Sequence, residues 1–127
     1  MFYFRKWRGN LGILDGTNFM SNLINEGGKQ INLLTDLIFK YDKDDSINKI
    51  VLVTHTVPKK EYAHNLRIEV NSDYKNLFNI SSKLKYWLFG HTHQQMDKKD
   101  GIRFISNPRG RPEDYNREKY NLKKITL

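Results

Sequence analysis

The sequence predicts a layered α/β protein, because helical and strand-like segments alternate along it. An amphipathic segment precedes a continuous β-branched run, and a second helical segment precedes an aromatic-rich strand. This alternation is typical of parallel sheets flanked by helices. The 127 residues, 38% of them hydrophobic, suffice for one core, so we expect a single domain over residues 1–127.

Composition excludes several classes of protein. The chain has no cysteine, which rules out disulfide scaffolds, thiol nucleophiles and cysteine-based metal sites. Its 22 Lys and Arg exceed its 14 Asp and Glu, and the net charge of +8 favours an anionic partner such as a phosphate ester or nucleic acid. A well-solvated surface is the alternative, because the basic residues are scattered. No apolar run approaches the roughly 20 residues of a membrane helix, so we expect a soluble, cytoplasmic protein.

The first predicted element is a helix over residues 28–41. Its apolar positions recur every three or four residues and form one stripe: Ile31, Leu34, Leu37, Ile38 and Tyr41. Gly27 and Gly28 mark the predicted start. The polar string 42–46 contains turn-forming residues, so we expect the helix to end there and a surface loop to follow.

Two strands and a second helix come next. Lys49–Thr54 is a continuous β-branched run without alternation, which predicts a strand covered on both faces. Ser72–Lys83 predicts a helix with one apolar side, formed by Tyr74, Leu77, Phe78 and Ser81. Lys85–Phe89 predicts an aromatic-rich strand.

The last third of the sequence predicts a hairpin and a tight loop. Residues 96–101 and 102–105 form two strand-like segments joined by an Asp-Gly turn, and Asn107–Gly110 forms the loop. We expect residues 111–119 to be irregular. Alternation at Tyr120, Leu122, Lys124 and Thr126 predicts a short closing strand.

Three of the four histidines follow predicted strands. His55 comes directly after the first strand, and Gly90-His91-Thr92-His93 follows the second. Ligand sites in open α/β sheets lie beyond the carboxyl ends of strands. A neutral imidazole binds zinc, manganese, iron or nickel well. His55 alone is more typical of a structural histidine, whereas the His-x-His pair after a glycine favours a metal ligand. We expect His64 to be a surface residue.

Three segments carry a resemblance to a known family. They are Val51-Leu52-Val53-Thr54-His55-Thr56-Val57-Pro58, Tyr86-Trp87-Leu88-Phe89-Gly90-His91-Thr92-His93 and Ile105-Ser106-Asn107-Pro108-Arg109-Gly110. In this order they resemble the carboxy-terminal half of the calcineurin-like metallophosphoesterases. The resemblance covers about residues 50–110.

The resemblance implies a fold, a site and a reaction. The fold would be a layered helix–sheet–sheet–helix sandwich lacking its amino-terminal strands. His55 and His91 would hold one divalent ion of a dinuclear site, and His93 would hold the other. The reaction would be phosphoester hydrolysis, in which paired ions activate a water and clamp the phosphate oxygens. No catalytic residue is assigned.

Two arginines of the predicted loop are candidates for contact with the substrate. Arg109 and Arg111 follow the hairpin and offer bidentate donors for a phosphate. Two solvated surface arginines are the alternative reading.

The chain departs from the family in its first half. The family's Asp-x-His, Gly-Asp-x-x-Asp and Gly-Asn-His-Asp/Glu motifs are absent, and Gly9-Asn10 matches the last of them poorly. Three neutral imidazoles bring no negative charge to offset two cations. We therefore expect at most one ion (Mn, Zn, Fe or Ni) in this chain alone. We also expect an exposed sheet edge that binds an amino-terminal half or a second copy.

Three functions from different classes follow. The first is a metal-dependent phosphoesterase that needs its amino-terminal half. The second is a remnant that binds a metal or an anion without turnover. The third is a basic nucleic-acid-binding or assembly module whose contact surface comprises Lys59, Lys60, Arg67 and residues 109–117.

Overall fold

The computed structural model describes residues 16–63, 72–114 and 117–127, and it has a mixed α/β fold. Its helix is α1 (Gly16–Asp42), and its strands are β1 (Ile50–Val53), β2 (Leu84–Leu88), β3 (Met96–Asp100) and β4 (Ile102–Ser106). Short 3₁₀ helices occur at Lys60–Tyr62, Ser72–Leu77 and Arg117–Lys119. The chain divides into two compact units, Met1–Leu34 and Thr35–Leu127. The single domain expected over residues 1–127 stays a prediction.

The four strands form one sheet in the order β1-β2-β4-β3. Strands β1, β2 and β4 are parallel, and β3 runs antiparallel to β4. The carboxyl ends of the three parallel strands therefore lie at the same edge of the sheet. The loops that carry His55, Gly90–His93 and Asn107–Gly110 all leave from this edge.

An aromatic cluster covers one face of the sheet. Trp87 of β2 and Phe104 of β4 are register partners and almost fully buried. The rings of Tyr74 and Phe78 pack edge-on against Trp87, with centroids 5.2 and 5.5 Å away. The Trp87 indole N–H donates to Thr54 Oγ1 at 3.0 Å, so the one polar group of this buried side chain is satisfied.

Helix α1 is longer than the sequence predicts. The predicted start at Gly28 is wrong, because the helix already begins at Gly16 and continues through both glycines. A glycine inside a helix costs only about 1 kcal/mol relative to alanine, which the rest of a 27-residue helix outweighs. The apolar stripe is largely confirmed, since Ile31 and Ile38 are buried, although Tyr41 is 38% exposed.

The predicted end of α1 is confirmed at Asp42. Lys83 Nζ donates to the backbone oxygens of Asp42 at 2.6 Å and Asp44 at 2.9 Å. Asp44 in turn accepts hydrogen bonds from Ser46 N and Oγ at 2.9 and 2.6 Å. A lysine on the last carbonyls and an Asp-centred turn both favour ending the helix here.

The predicted helix over Ser72–Lys83 is wrong in type and length. The structure has a 3₁₀ helix at Ser72–Leu77, followed by turns. The predicted apolar side is confirmed, because Tyr74, Leu77 and Ser81 are buried. Ser81 Oγ donates to Asp42 Oδ1 at 2.5 Å and accepts from Lys83 N at 3.0 Å. The bond to Asp42 joins residues 39 positions apart, whereas the bond from Lys83 N is local, and local side-chain hydrogen bonds compete with helix continuation.

Two strand predictions also need correction. β1 was expected to be covered on both faces, yet Val53 is 67% exposed and β1 is the last strand at its end of the described sheet. The closing strand expected over residues 120–126 is not formed. That segment instead runs as irregular chain, and Thr126 O accepts a hydrogen bond from Tyr86 OH at 3.3 Å.

The remaining elements match the sequence closely. β2 and the β3–β4 hairpin lie where they are predicted, and Gly101 occupies the turn with a φ of +68°. Over the ranges that the structure describes, no helix combines the length and the apolarity that a bilayer crossing requires.

Candidate functional site

The pairing of β1 with β2 brings His55 next to the Gly90–His93 turn. Beyond the two strands the ladder continues, with Thr54 N donating to Leu88 O at 2.9 Å and Gly90 N donating to His55 O at 3.1 Å. The backbone of His55 is therefore anchored directly to the residue before His91. Each of these two strands is followed within three residues by a histidine, and their parallel pairing places the two rings together.

The rings of His55 and His91 contact each other edge to face. Nδ1 of His91 lies 3.3 Å from Nε2 of His55, and the ring planes meet at 82°. One nitrogen donates and the other accepts when the pair is hydrogen-bonded. A separation of about 3.3 Å is also what two imidazole nitrogens adopt when both bind one tetrahedral ion at about 2.0–2.1 Å.

The turn that carries the two later histidines is strained. His91 and His93 have φ values of +69° and +54°, in the left-handed region that non-glycine residues rarely adopt. Thr92 N donates to Gly90 O at 2.8 Å, which with the φ of His91 describes the rare, strained form of γ-turn. Gly90, the residue of this turn that best tolerates a positive φ, does not have one, so the two histidines adopt the strained conformation instead.

The side chain of Thr92 holds this strained turn in place. Thr92 is buried, with 3% of its surface exposed. Its hydroxyl accepts from Gln94 N at 3.2 Å and donates to Gln94 O at 3.4 Å. Backbone strain of about 1–3 kcal/mol per residue persists only where the surroundings enforce it, and it concentrates at functional sites.

His93 pairs with a carboxylate that the sequence reasoning missed. His93 Nδ1 lies 2.8 Å from Asp114 Oδ2. The same oxygen accepts the backbone N–H of Arg111 at 2.5 Å. The Arg111 N–H, followed by the imidazole of His93, lowers the pKa of the Asp114 carboxyl below its ordinary value. Nothing in the linear spacing connects position 114 with position 93, because the contact depends on how the loop after β4 folds back.

Gly110 makes room for this carboxylate. Its φ is +80°, and a Cβ there would lie 2.7 Å from Asp114 Oδ2. Arg117 Nη1 donates to Gly110 O at 3.0 Å and fixes the same loop from the other side. The loop predicted from Asn-Pro-Arg-Gly is therefore built around Asp114.

The two predicted phosphate contacts lie on this loop. Arg109 and Arg111 are exposed, and the backbone of Arg111 is bound to Asp114. Their role toward a substrate stays a prediction.

The three predicted histidine ligands lie in two separate contacts. In residues 16–63, 72–114 and 117–127, no three His, Asp or Glu side chains are grouped so as to hold a metal. The structure brings the rings of His55 and His91 together, whereas His93 pairs with Asp114. The dinuclear arrangement implied by the resemblance is not assembled by these residues. Asn10 and His64 lie outside the described residues.

The lysines of the surface expected to bind nucleic acid differ in exposure. Lys59 is half-buried, its ammonium group pairs with Asp100, and it lies 4.9 Å from the centroid of Phe104. Lys60 is exposed, and Arg67 lies outside the described residues.

A cavity of about 450 Å³ lies away from the histidines. Its lining includes Lys59, Phe78, Leu84 and Ile102, at the amino-terminal ends of β2 and β4. His55, His91 and His93 lie at the opposite edge of the sheet, and we place the candidate site there.

Comparison with protein-family models, with curated proteins and with solved structures found no match to this chain.

Proposed function

We propose that this chain carries the histidine half of a metal-dependent phosphoesterase. His55 and His91 hold one divalent ion at the carboxyl edge of the parallel strands. The observation that carries this proposal is the 3.3 Å separation between His91 Nδ1 and His55 Nε2, on the loops that follow two different strands. The calcineurin-like resemblance of the same segments supports the assignment.

The fold belongs to this proposal as well. The parallel strands β1, β2 and β4 would be one layer of the helix–sheet–sheet–helix sandwich. Val53 on the outer strand is 67% exposed, which supports an additional segment, an amino-terminal half or a second copy, at this edge.

The bound ion supplies a Lewis acid and an activated water for attack on a phosphoester. The chain's own residues hold and orient the site. The Gly90–His55 backbone hydrogen bond fixes the spacing of the two ligand-bearing loops. Arg109 and Arg111 supply positive charge for the phosphate from the loop after β4.

A second candidate function is a metal-binding module without turnover. It is favoured by the lack of a three-ligand group in the described part of the chain, and by the pairing of Asp114 with His93 rather than with the other two histidines. A site with two neutral ligands binds one ion and brings no carboxylate to assist hydrolysis.

Metal titration combined with turnover separates these functions. Calorimetry with Zn²⁺ and Mn²⁺ should give about one ion per chain, and the binding should be lost in His55→Ala and in His91→Ala. His64→Ala is the matched control and should bind as the wild type does. Hydrolysis of p-nitrophenyl phosphate and of its bis ester is then measured with each metal, both for this chain alone and with the amino-terminal half supplied.

Each outcome supports one of the two functions or contradicts both. Turnover that needs metal and is lost in both site variants supports the phosphoesterase. Binding without turnover, even when the amino-terminal half is supplied, supports the module. Metal affinity that His55→Ala and His91→Ala leave unchanged contradicts both functions.

A further inference from the structure

The outer edge of β1 is open in the sheet that the structure describes. β1 pairs with β2 on one side and with no described strand on the other. The N–H groups of Ile50 and Thr54 point to the β2 side, where they donate to backbone oxygens at 2.7 and 2.9 Å. The alternation of a strand therefore turns the N–H groups of Val51 and Val53 outward. Such an edge is a template for pairing with another strand.

Residues 120–127 carry a strand pattern that the fold of one chain does not use. Alternation from Tyr120 to Thr126 predicts a strand, yet no described strand pairs with this segment. Leu122 is 88% exposed and Leu127 is 57% exposed. The segment therefore presents a strand-forming sequence and two apolar side chains to solvent.

The segment instead crosses the sheet from β4 toward β1. Its backbone oxygens accept hydrogen bonds from three side chains that lie successively after β4, on β2 and before β1: Asn107 Nδ2 to Asn121 O at 3.1 Å, Tyr86 OH to Thr126 O at 3.3 Å, and Lys49 Nζ to Leu127 O. Residues that cross these strands cannot at the same time run along one of them. Within one described chain, the segment and the open edge therefore both stay unpaired with a strand.

The contacts that hold the segment can be exchanged at small cost. The three hydrogen bonds lie at the exposed surface, where water replaces a lost partner. Lys123 also pairs with Asp97. When that lysine leaves, Asp97 keeps its hydrogen bonds from Arg103 at 2.8 and 2.9 Å. Strand pairing would in return give the segment backbone partners and cover its leucines.

We propose that residues 120–127 of one chain add as a strand to the open edge of β1 in a second copy of this chain. Strand addition to an exposed sheet edge is a recurrent mode of recognition. Each copy has one acceptor edge and one donor segment, so two copies related by a two-fold axis satisfy both at once. The exchange covers Val53, which is 67% exposed in one chain. Because strand addition uses no histidine and no metal, it stands independently of the metal site.

Proline substitutions test the edge and the segment separately. Proline lacks an N–H and is tolerated on the open side of an edge strand, so Val53→Pro blocks the edge while the hydrogen bonds from β1 to β2 remain. Leu122→Pro prevents strand pairing by the segment, which is irregular in one chain. Analytical ultracentrifugation over a concentration series should give a dimer, of twice the 15.1 kDa of one chain, for the wild type and a monomer for each variant.

The matched controls are Val53→Thr and Leu122→Val, which keep the N–H group and favour strands. Both should remain dimeric, and circular dichroism establishes that every variant is folded. A wild type that is monomeric at every concentration overturns the proposal. A Leu122→Pro variant that remains dimeric also overturns it, because that dimer forms without the segment.

An equimolar mixture of the two proline variants identifies the pairing. Val53→Pro retains an intact segment and Leu122→Pro retains an open edge, so the mixture should form a dimer that neither variant forms alone. This dimer has one exchanged strand and should be weaker than the wild-type dimer. A mixture that associates no more than its separate components contradicts strand addition between copies.

Amide hydrogen exchange locates the interface. In the wild-type dimer the N–H groups of Val51 and Val53, and those of residues 120–127, should exchange more slowly than in Leu122→Pro. Slow exchange at Val53 that persists in the Leu122→Pro monomer would show that another part of the same chain covers the edge, which overturns the proposal. Zn²⁺ binding by His55→Ala and His91→Ala is measured separately, so failure of the metal site is distinguishable from failure of the dimer.

Discussion

The side chain of Lys59 lies across the aromatic core while its ammonium group pairs with Asp100. Its Nζ is 4.9, 5.1 and 5.6 Å from the ring centroids of Phe104, Phe78 and Tyr62. The side chain is only 17% exposed, whereas that of Asp100 is 58% exposed. At the residue scale, therefore, Lys59 is a structural cation whose contribution comes from the rings and its buried stem more than from the solvated ion pair.

Replacing this lysine should cost stability. Lys59→Ala removes the cation–π contacts and the packed stem, so we expect the free energy of unfolding to fall by about 1–2 kcal/mol in urea denaturation. Lys59→Met keeps the apolar stem and should recover part of the loss. Lys60→Ala, at the exposed neighbour, is the control. A loss no larger than that of the control would show that the ring contacts contribute nothing.

Asp97 gives a prediction for acid pH. The hydrogen bond from Arg103, at 2.8–2.9 Å, and then that from Lys123 lower the pKa of Asp97 well below its ordinary value. A carboxyl whose pKa is depressed in the folded state stabilises the protein above its unfolded pKa of about 3.9, and this stability is lost as the pH falls through the folded value. Wild-type stability should therefore fall below about pH 4.

The charge-neutral variant separates this contribution from others. Asp97→Asn should be less stable than the wild type at neutral pH, and its stability should fall less steeply as the pH is lowered from about 4. Glu113→Gln serves as the control for removal of an exposed carboxylate. Urea denaturation at each pH measures the free energy of unfolding. If this free energy fell equally steeply with pH in Asp97→Asn and in the wild type, the prediction would be contradicted.

At the scale of elements, substitution of two glycines that have open space around them tests the backbone conformation alone. A Cβ would meet nothing within 4 Å at Gly101 or at Gly28. Gly101 occupies the hairpin turn with a φ of +68°, whereas Gly28 lies inside α1. Any effect of alanine at either position therefore comes from the backbone.

The two alanine substitutions should change stability in opposite directions. Gly101→Ala forces a side chain into the left-handed region and should lower the free energy of unfolding by about 1–2 kcal/mol, with Gly101→Asn less harmful. Gly28→Ala should raise it by about 0.5–1 kcal/mol. Urea denaturation measures the change in the free energy of unfolding for each variant. Changes of the same sign in the two variants would show that α1 or the hairpin differs from the structure described.

These elements also show how far the sequence predicts the fold. β2 and the hairpin are predicted well, because their apolar runs and the Asp-Gly turn are local signals. The start of α1 is missed, since Gly27-Gly28 is a local break signal that a long helix overrides. The helix predicted at Ser72–Lys83 fails because Ser81 binds Asp42 Oδ1, 39 positions earlier in the sequence.

The contacts of the candidate site were likewise predicted only in part from the sequence. The approach of His55 to His91 follows from two consecutive predicted strands that pair in parallel, so the sequence predicts it. The contact between His93 and Asp114 depends on an irregular loop held by Gly110 and Arg117. Periodicity says nothing about such a loop, and Asp114 was therefore missed.

At the scale of the whole molecule, a bound ion should stabilise the fold. An ion that binds only the folded state adds about 2.7 kcal/mol when its concentration is about 100 times its dissociation constant. Zn²⁺ should therefore raise the thermal midpoint of the wild type but not of His55→Ala or His91→Ala, as followed by circular dichroism. His64→Ala should retain the shift, and an equal shift in all four proteins would indicate non-specific binding.

The central claim is that His55 and His91, on the loops after two parallel strands, hold one ion. Zinc-edge X-ray absorption of the loaded protein tests this claim most directly. We expect nitrogen or oxygen ligands at about 2.0–2.1 Å, with outer-shell scattering from imidazole rings that decreases by one ring in His55→Ala and by one ring in His91→Ala. An absorption spectrum without imidazole scattering, or one that neither substitution changes, would contradict the claim.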